Sequence, residues 1–157
     1  MNRVLQLLAA ILVCYAAGAL GSFFTVPAVS SWYQDLEKPF FSPPNWVFGP
    51  VWAVLYTMMG ISLFIVWTKQ TKNQKARLGI LLFLIQLFLN AAWSIIFFGF
   101  RSPLAAFCEI VLLWTFIGLT FSAFQNVSKP AAWLLAPYLL WVSFAAVLNL
   151  SIFWLNR

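Results

Sequence analysis

Few side chains in this sequence can do polar chemistry, and most of those lie inside apolar runs. Glu109 follows Arg101 by eight residues. In a helix rising 1.5 Å per residue that is roughly 12 Å along the axis, near the middle of a ~30 Å hydrocarbon core. A carboxyl at that depth costs at least a few kcal/mol unless it faces the protein interior. It can serve there as a structural hydrogen bond, a ligand contact or a proton site, and its residue type alone does not choose among them. Gln86 and Asn90, four apart, share a helical face with Trp93 and Phe97. Such amides join membrane helices or contact ligands. Tyr138, Trp141, Ala145 and Asn149 form a second such face, and Trp52, Tyr56 and Met59 a third. Facing inward, Trp52, Trp93, Trp114 and Trp141 offer flat π surfaces to a flat apolar ligand; facing outward, they touch lipid. With no histidine, a histidine triad or proton relay is excluded. Cys14 and Cys108 both sit in apolar runs, which argues against a metal site, a disulfide or a reactive thiolate.

The elements that must position these residues follow from composition. Of 157 residues, 64% are hydrophobic and 8% charged, and mean hydropathy is +0.93. A soluble domain carries about a quarter charged residues, so the bilayer is the expected solvent. Charges and prolines cut the chain into apolar runs at about 4–26, 50–68, 78–100, 103–125 and 131–154. Each approaches the ~20 residues that cross a bilayer as a helix. The predicted fold is an all-α bundle of five membrane spans in one domain, 1–157, with a structured loop between the first two. Small residues at 17, 18, 21 and 22 allow close packing by the first span. The expected partners therefore include the lipid bilayer and exclude nucleic acid.

The net charge of +6 is distributed over the loops. The N-terminal side carries Arg3, Lys69, Lys72, Lys75, Arg77 and Lys129; the opposite side carries Lys38, Arg101, Arg157, Asp35 and Glu37. The Lys/Arg excess places the N-terminus in the cytoplasm and the C-terminus outside. The expected location is a bacterial cell membrane. Residues 1–20 loosely fit a cleaved signal peptide, but the apolar run continues through Val26, long enough to span. Trp32, Trp46, Trp67, Trp133 and Trp154 fall near span ends, where an interfacial aromatic belt accounts for them.

The connection at 27–49 contains "EKPFFSPPNWVFGPVW". Pro39, Pro43 and Pro44 remove backbone donors and favour extended geometry. Pro50 suits the first turn of the second span. Upstream, "SSWYQDLEK" can form a short helix capped by Ser30 or Ser31. The segment is expected to be a stiff aromatic lid over one end of the bundle or else a rigid connector only, with Trp46 at the interface.

The stretches "WYQDLEKPFFSPPNWVFGPVWAVLYTMMG" (32–60), "LNAAWSIIFFG" (89–99) and "PYLLWVSFAAVLN" (137–149) resemble the TspO/MBR family in order and over nearly the whole chain. The resemblance implies a five-helix bundle, usually a homodimer, with a cavity under the first long loop. It implies binding of porphyrins such as protoporphyrin IX, and of isoquinoline carboxamide and benzodiazepine ligands, with light-dependent porphyrin degradation in some bacterial members. Carried over by motif, the ligand site comprises Tyr33, Pro44, Trp52, Asn90, Trp93, Glu109, Trp141 and Ala145, and Asn149 fits the closing motif. Leu150 stands where animal members have the tyrosine of a sterol-recognition pattern, which makes sterol binding there doubtful.

Three functions remain open at this level. The preferred one is a receptor or sensor of tetrapyrroles that also moves them, with porphyrin as ligand, no required cofactor and no metal. Lys38 or backbone donors would meet the propionates. The second is a light-dependent porphyrin-degrading enzyme, with Trp52 and Trp141 as catalytic redox partners. The third is a scaffold acting through helix partners. A secondary transporter fits less well, because five spans give no obvious inverted repeat.

Overall fold

A computed structural model describes residues 2–70 and 73–157. Lys72, counted above among the loop charges, lies outside the described residues. Every described element is helical. Five helical stretches are long and apolar enough to cross a membrane: Arg3–Val29, Asn45–Trp67, Gln74–Gly99, Pro103–Gln125 and Lys129–Leu155. The first span is α1 (Arg3–Val29), and a short α2 (Trp32–Asp35) follows it. A 3-10 turn, Asn45–Val47, leads into α3 (Phe48–Trp67). The third span is α4 (Gln74–Ser94) and ends in a π-helical turn, Ile95–Gly99. The fourth is α5 (Pro103–Gln125). The fifth is built from α6 (Lys129–Trp133) and α7 (Ala136–Leu155).

The spans follow one another around the bundle as α3, α1, α4, α5 and α7, and α3 meets α7 only sparsely. That loose seam leaves room for an internal space. Elsewhere the helices approach closely through small residues. A Cβ added to Gly60 of α3 would lie 2.7 Å from the Ile11 backbone of α1, so only glycine permits that crossing.

Helix ends differ from the predicted ones where prolines and the bilayer compete. The first span was expected to stop at Val26, before Pro27, but α1 runs through Pro27 to Val29. Proline there removes one N–H, and a single missing bond near a helix end is tolerated. The Ser30 and Ser31 hydroxyls both donate to the Pro27 carbonyl, at 3.2 and 2.8 Å. Ser31 does stand at the cap position of α2, but its hydroxyl bonds backwards to α1 instead of capping α2. At the next span Pro50 falls in the first turn of α3, two residues after its start. The first N–H groups of a helix have no internal acceptor, so proline costs nothing there.

The fifth span was expected as one helix over 131–154 and is instead broken between α6 and α7. Pro137 cannot donate back to the preceding turn, and Leu135 N donates to Ala132 O at 2.9 Å. This frees the Ala131 carbonyl, which the buried Ser62 hydroxyl takes up at 2.7 Å. Unsatisfied backbone groups are costly at membrane depth, so Ser62 of α3 seals the break in its neighbour.

The glycine contacts give a direct test of packing. Gly60→Val is expected to lower stability by about 1–3 kcal/mol through overpacking. Gly118→Ala, with nothing within 4 Å of the added Cβ, is expected to be neutral or stabilising by up to about 1 kcal/mol through helix propensity. Thermal unfolding in detergent distinguishes them, and equal shifts would contradict this account of the α1–α3 crossing.

Candidate functional site

The site is built upward from a hydrogen-bonded floor. Tyr56 of α3 donates its hydroxyl to Asn90 Oδ1 at 2.7 Å, and Asn90 Nδ2 of α4 donates to the Tyr138 hydroxyl of α7 at 3.1 Å. All three side chains are buried. Trp52 lies one turn above Tyr56 and stacks on it, with ring centroids 5.2 Å apart and planes inclined by 26°. The edge of its ring meets Tyr138.

Above that floor lies a cavity of about 540 Å³. Its aromatic walls are Tyr33, Phe48, Trp52, Trp93, Phe97 and Trp141. Trp93 is fixed in place: its indole N–H donates to Asn149 Oδ1 at 3.1 Å, and Asn149 Nδ2 donates to the Pro103 carbonyl at 2.7 Å. The π turn at the end of α4 brings the consecutive residues Phe97 and Phe98 onto the same wall. Among the described residues, none lining the cavity carries a charge.

The cover comes from α2 and the segment behind it. Tyr33 is buried against Phe97 and Phe98 with its ring edge towards them. Burial lifts its phenol above the ordinary range, and a hydrogen bond with Ser42 acts in the opposite direction. The segment is pinned to the far end of the chain. Glu37 N donates to Asn156 Oδ1 and Asn156 Nδ2 donates to Glu37 O, each at 2.9 Å. Phe41 packs edge-on against Phe144 of α7.

The predicted residues divide between wall and support. Tyr33, Trp52, Trp93, Trp141 and Ala145 line the cavity. Pro44, Asn90 and Glu109 do not. Pro44 is exposed and precedes the turn that starts the second span. Asn90 is one layer below, holding two tyrosines. Glu109 is partly buried on α5, and neither carboxylate oxygen has a hydrogen-bond partner among the described residues; the same is true of the Gln86 amide. Lys38 is also outside the lining, its ammonium directed to the Gln34 and Leu36 carbonyls and lying 4.7 Å from the Tyr33 ring centre. Trp46 is 75% exposed, as an interfacial residue should be, and Trp114 is 44% exposed with its N–H donated to Ser143.

Sequence reasoning missed Phe48, which meets Trp141 edge-on, and Tyr15. The Tyr15 hydroxyl donates to the Ala53 carbonyl at 2.9 Å and lies 3.0 Å from Thr57 Oγ1. Its spacing with Gly18, Ala19 and Ser22 on one helical face was the available signal.

Five spans around an aromatic cavity closed by the first connection define an integral, multi-pass membrane protein. The TspO/MBR family model matches residues 10–155. Tryptophan-rich protein TspO of Chlorobaculum tepidum is 50% identical, over 99% of each chain. Translocator protein of Ovis aries is 39% identical, over 88% of this chain and 82% of its own. Tryptophan-rich sensory protein of Cereibacter sphaeroides is 30% identical, over 90% of this chain and 87% of its own. The chain belongs to the TspO/MBR family.

Replacing Asn90 by Leu strands two buried hydroxyls and is expected to cost about 1–3 kcal/mol. Tyr56→Phe is expected to cost less, with a coupling to Asn90 of about 0.6–1.7 kcal/mol in a double-mutant cycle. Glu109→Leu, which removes a carboxyl lacking any described partner, is expected to leave stability unchanged or raise it. Thermal unfolding of the four variants measures all of this. A loss from Glu109→Leu as large as that from Asn90→Leu would show a partner for the carboxyl.

Proposed function

We propose that this protein is a membrane receptor and sensor for tetrapyrroles of the protoporphyrin IX type, which it also helps to move. The observation that carries this reading is the cavity itself: about 540 Å³, within the ~300–1,000 Å³ range of small-molecule sites, walled by flat rings on several helices. Isoquinoline carboxamide and benzodiazepine ligands, also flat and apolar, suit the same walls. Relatives named translocator protein and tryptophan-rich sensory protein support a role in recognising or moving small molecules. On this reading Tyr33, Trp52, Trp93, Trp141 and Ala145 touch the ligand. Asn90 acts through Tyr56 by holding the ring on which Trp52 stacks. The ionised propionates of a porphyrin stay at the mouth, because no described lining residue is charged. The loop charges support an N-terminus in the cytoplasm of a bacterial cell, with the lid outside.

A dark titration with protoporphyrin IX, followed by tryptophan fluorescence and porphyrin absorbance, tests this. Trp52→Ala and Trp141→Ala each remove about 1.5–3 kcal/mol of apolar contact, so each is expected to weaken binding roughly ten- to a hundredfold. Trp46→Ala, outside the cavity, is expected to have no effect. Absence of quenching at micromolar porphyrin would overturn the proposal.

One observation favours a second reading, light-driven oxidative breakdown of the bound pigment with dioxygen as oxidant. Trp52, stacked on Tyr56, places two oxidisable rings in series beside the ligand, with Trp141 on another wall. The same dark-loaded sample, then illuminated in air, is expected to bleach faster than free porphyrin in detergent, and Trp52→Phe is expected to slow it. Bleaching at the rate of free porphyrin would sink this reading while leaving the receptor proposal intact.

A further inference from the structure

The cavity is not enclosed on all sides. From α1 it is lined by one stripe, including Tyr15, Ala19, Ser22 and Val26; from α3 it is lined by a facing stripe, including Gly49 and Ala53. All six residues are also exposed, Val26 to 68% and Tyr15 to 40%. Residues that both line an internal space and reach the exterior mark an opening. These two helices are membrane spans, so the opening faces hydrocarbon over much of its length.

Its extent is set by the helix rise. From Tyr15 to Val29, both on the lining, α1 advances 14 residues, or roughly 21 Å. One leaflet contributes about half of the ~30 Å core. The cleft therefore covers the depth of the leaflet on the lid side. At its deep end it is closed by the Tyr15 hydroxyl bonded to the Ala53 carbonyl. Below that, Gly60 and Ile11 are in backbone contact distance. Between Tyr15 and Val26 its edges are the small residues Ala19, Ser22, Gly49 and Ala53. A Cβ added to Gly49 meets nothing within 4 Å.

What medium fills such a cleft follows from elementary physics. Water entering an apolar space finds too few polar partners. A void forfeits dispersion contacts along its whole wall. A lipid tail is as apolar as leucine, so leaving the bilayer for the cavity carries no desolvation cost. The lining offers it rings and no charge. We propose that the α1–α3 cleft is a lateral portal, and that an acyl chain of a phospholipid in the lid-side leaflet enters through it and lies in the aromatic cavity. Flat ligands that partition into the bilayer use the same opening and compete with that chain. The acyl-chain site stands independently of the tetrapyrrole reading; only the competition rests on it.

The probe is a phosphatidylcholine carrying a diazirine midway along one acyl chain, reconstituted with the full-length protein in vesicles. After photolysis, labelled residues are mapped by mass spectrometry. Labelling is expected at interior positions such as Trp93 and Ala145, as well as at outward residues such as Phe88, which is 73% exposed. Gly49→Phe and, separately, Ala53→Phe fill the opening and are expected to abolish interior labelling while leaving Phe88 labelled; the retained outer label shows that each variant is folded in the membrane. Labelling confined to outward residues in the unsubstituted protein would overturn the proposal, as would interior labelling that both plugged variants retain. Excess protoporphyrin IX is expected to remove the interior label. If it binds in titration yet leaves that label unchanged, competition for one space is refuted. If it does not bind at all, the tetrapyrrole reading fails and the acyl-chain site is judged on the plugged variants alone.

Discussion

The hydrogen bonds from Tyr56 to Asn90 and from Asn90 to Tyr138 fix the level at which this bundle changes character. Each residue belongs to a different span, and each is buried. Below the triad, Met59, Leu63 and Phe83 pack as ordinary core. Above it, α3 and α7 meet through aromatic rings, Trp52 against Tyr138 and Phe48 against Trp141, and the space beside them is walled by such rings. Between membrane helices the hydrophobic effect supplies no attraction, because lipid is as apolar as the helices themselves. Directional bonds and close packing must then hold a cavity open. An amide with two phenols does this with few atoms: Asn90 offers a carbonyl to one neighbour and an N–H to the other.

A second constraint follows from the same solvent. Wherever a helix breaks, the freed backbone groups need partners inside the protein. Ser62 takes the Ala131 carbonyl, Ser30 and Ser31 take that of Pro27, and Phe100 N reaches back to Ile95 O to close the π turn at 2.9 Å. Each repair coincides with a change in direction that shapes the site. The π turn delivers two phenylalanines to one wall, and the end of α1 turns the chain so that Tyr33 drops onto them. Arg101, in the left-handed region at φ 52, then reverses the chain in a tight connection to α5. Asn156 finally ties the lid to the last turn of α7.

The five spans were legible because the hydropathy signal sums over about 20 residues, and a local error hardly affects it. Helical periodicity put Trp52, Trp93, Trp141 and Ala145 on faces shared with Tyr56, Asn90 and Tyr138 but left open whether those faces turn inward, and it was the family motifs that assigned them to the site. What sequence could not resolve was depth within the protein. Asn90 and Trp93 are less than one turn apart, yet one is support and the other is wall. Pro44 belongs to the motif that shapes the lid but is turned outward. Glu109 looked the most informative on residue type. It sits on α5, away from the cavity lining, and periodicity on one helix does not reveal which neighbours flank it. The bend at α6 and α7 was likewise hidden, since hydropathy runs smoothly across 134–135 and only Pro137 marks it.

The absence of charge among the described lining residues constrains any function this cavity performs. An ion pair between a buried ligand carboxylate and a lysine would give affinity but would hold the ligand in place. Here Lys38 is occupied by backbone carbonyls and the Tyr33 ring. A ligand's flat body can enter only by dispersion and apolar contact, and its ionised groups must stay at the water-facing end. Such a site selects by shape and thickness, tolerates chemical variety, and exchanges its contents with a medium that resembles its own walls. Ser22, Asn45 and Ser94 are small or short polar side chains on the wall, while the polar groups that shape the cavity are already committed. Asn90 and Tyr138 hold the floor, Asn149 holds Trp93, and Tyr15 holds Ala53. These hydrogen bonds keep the cavity's shape, and the rings supply most of its recognising surface.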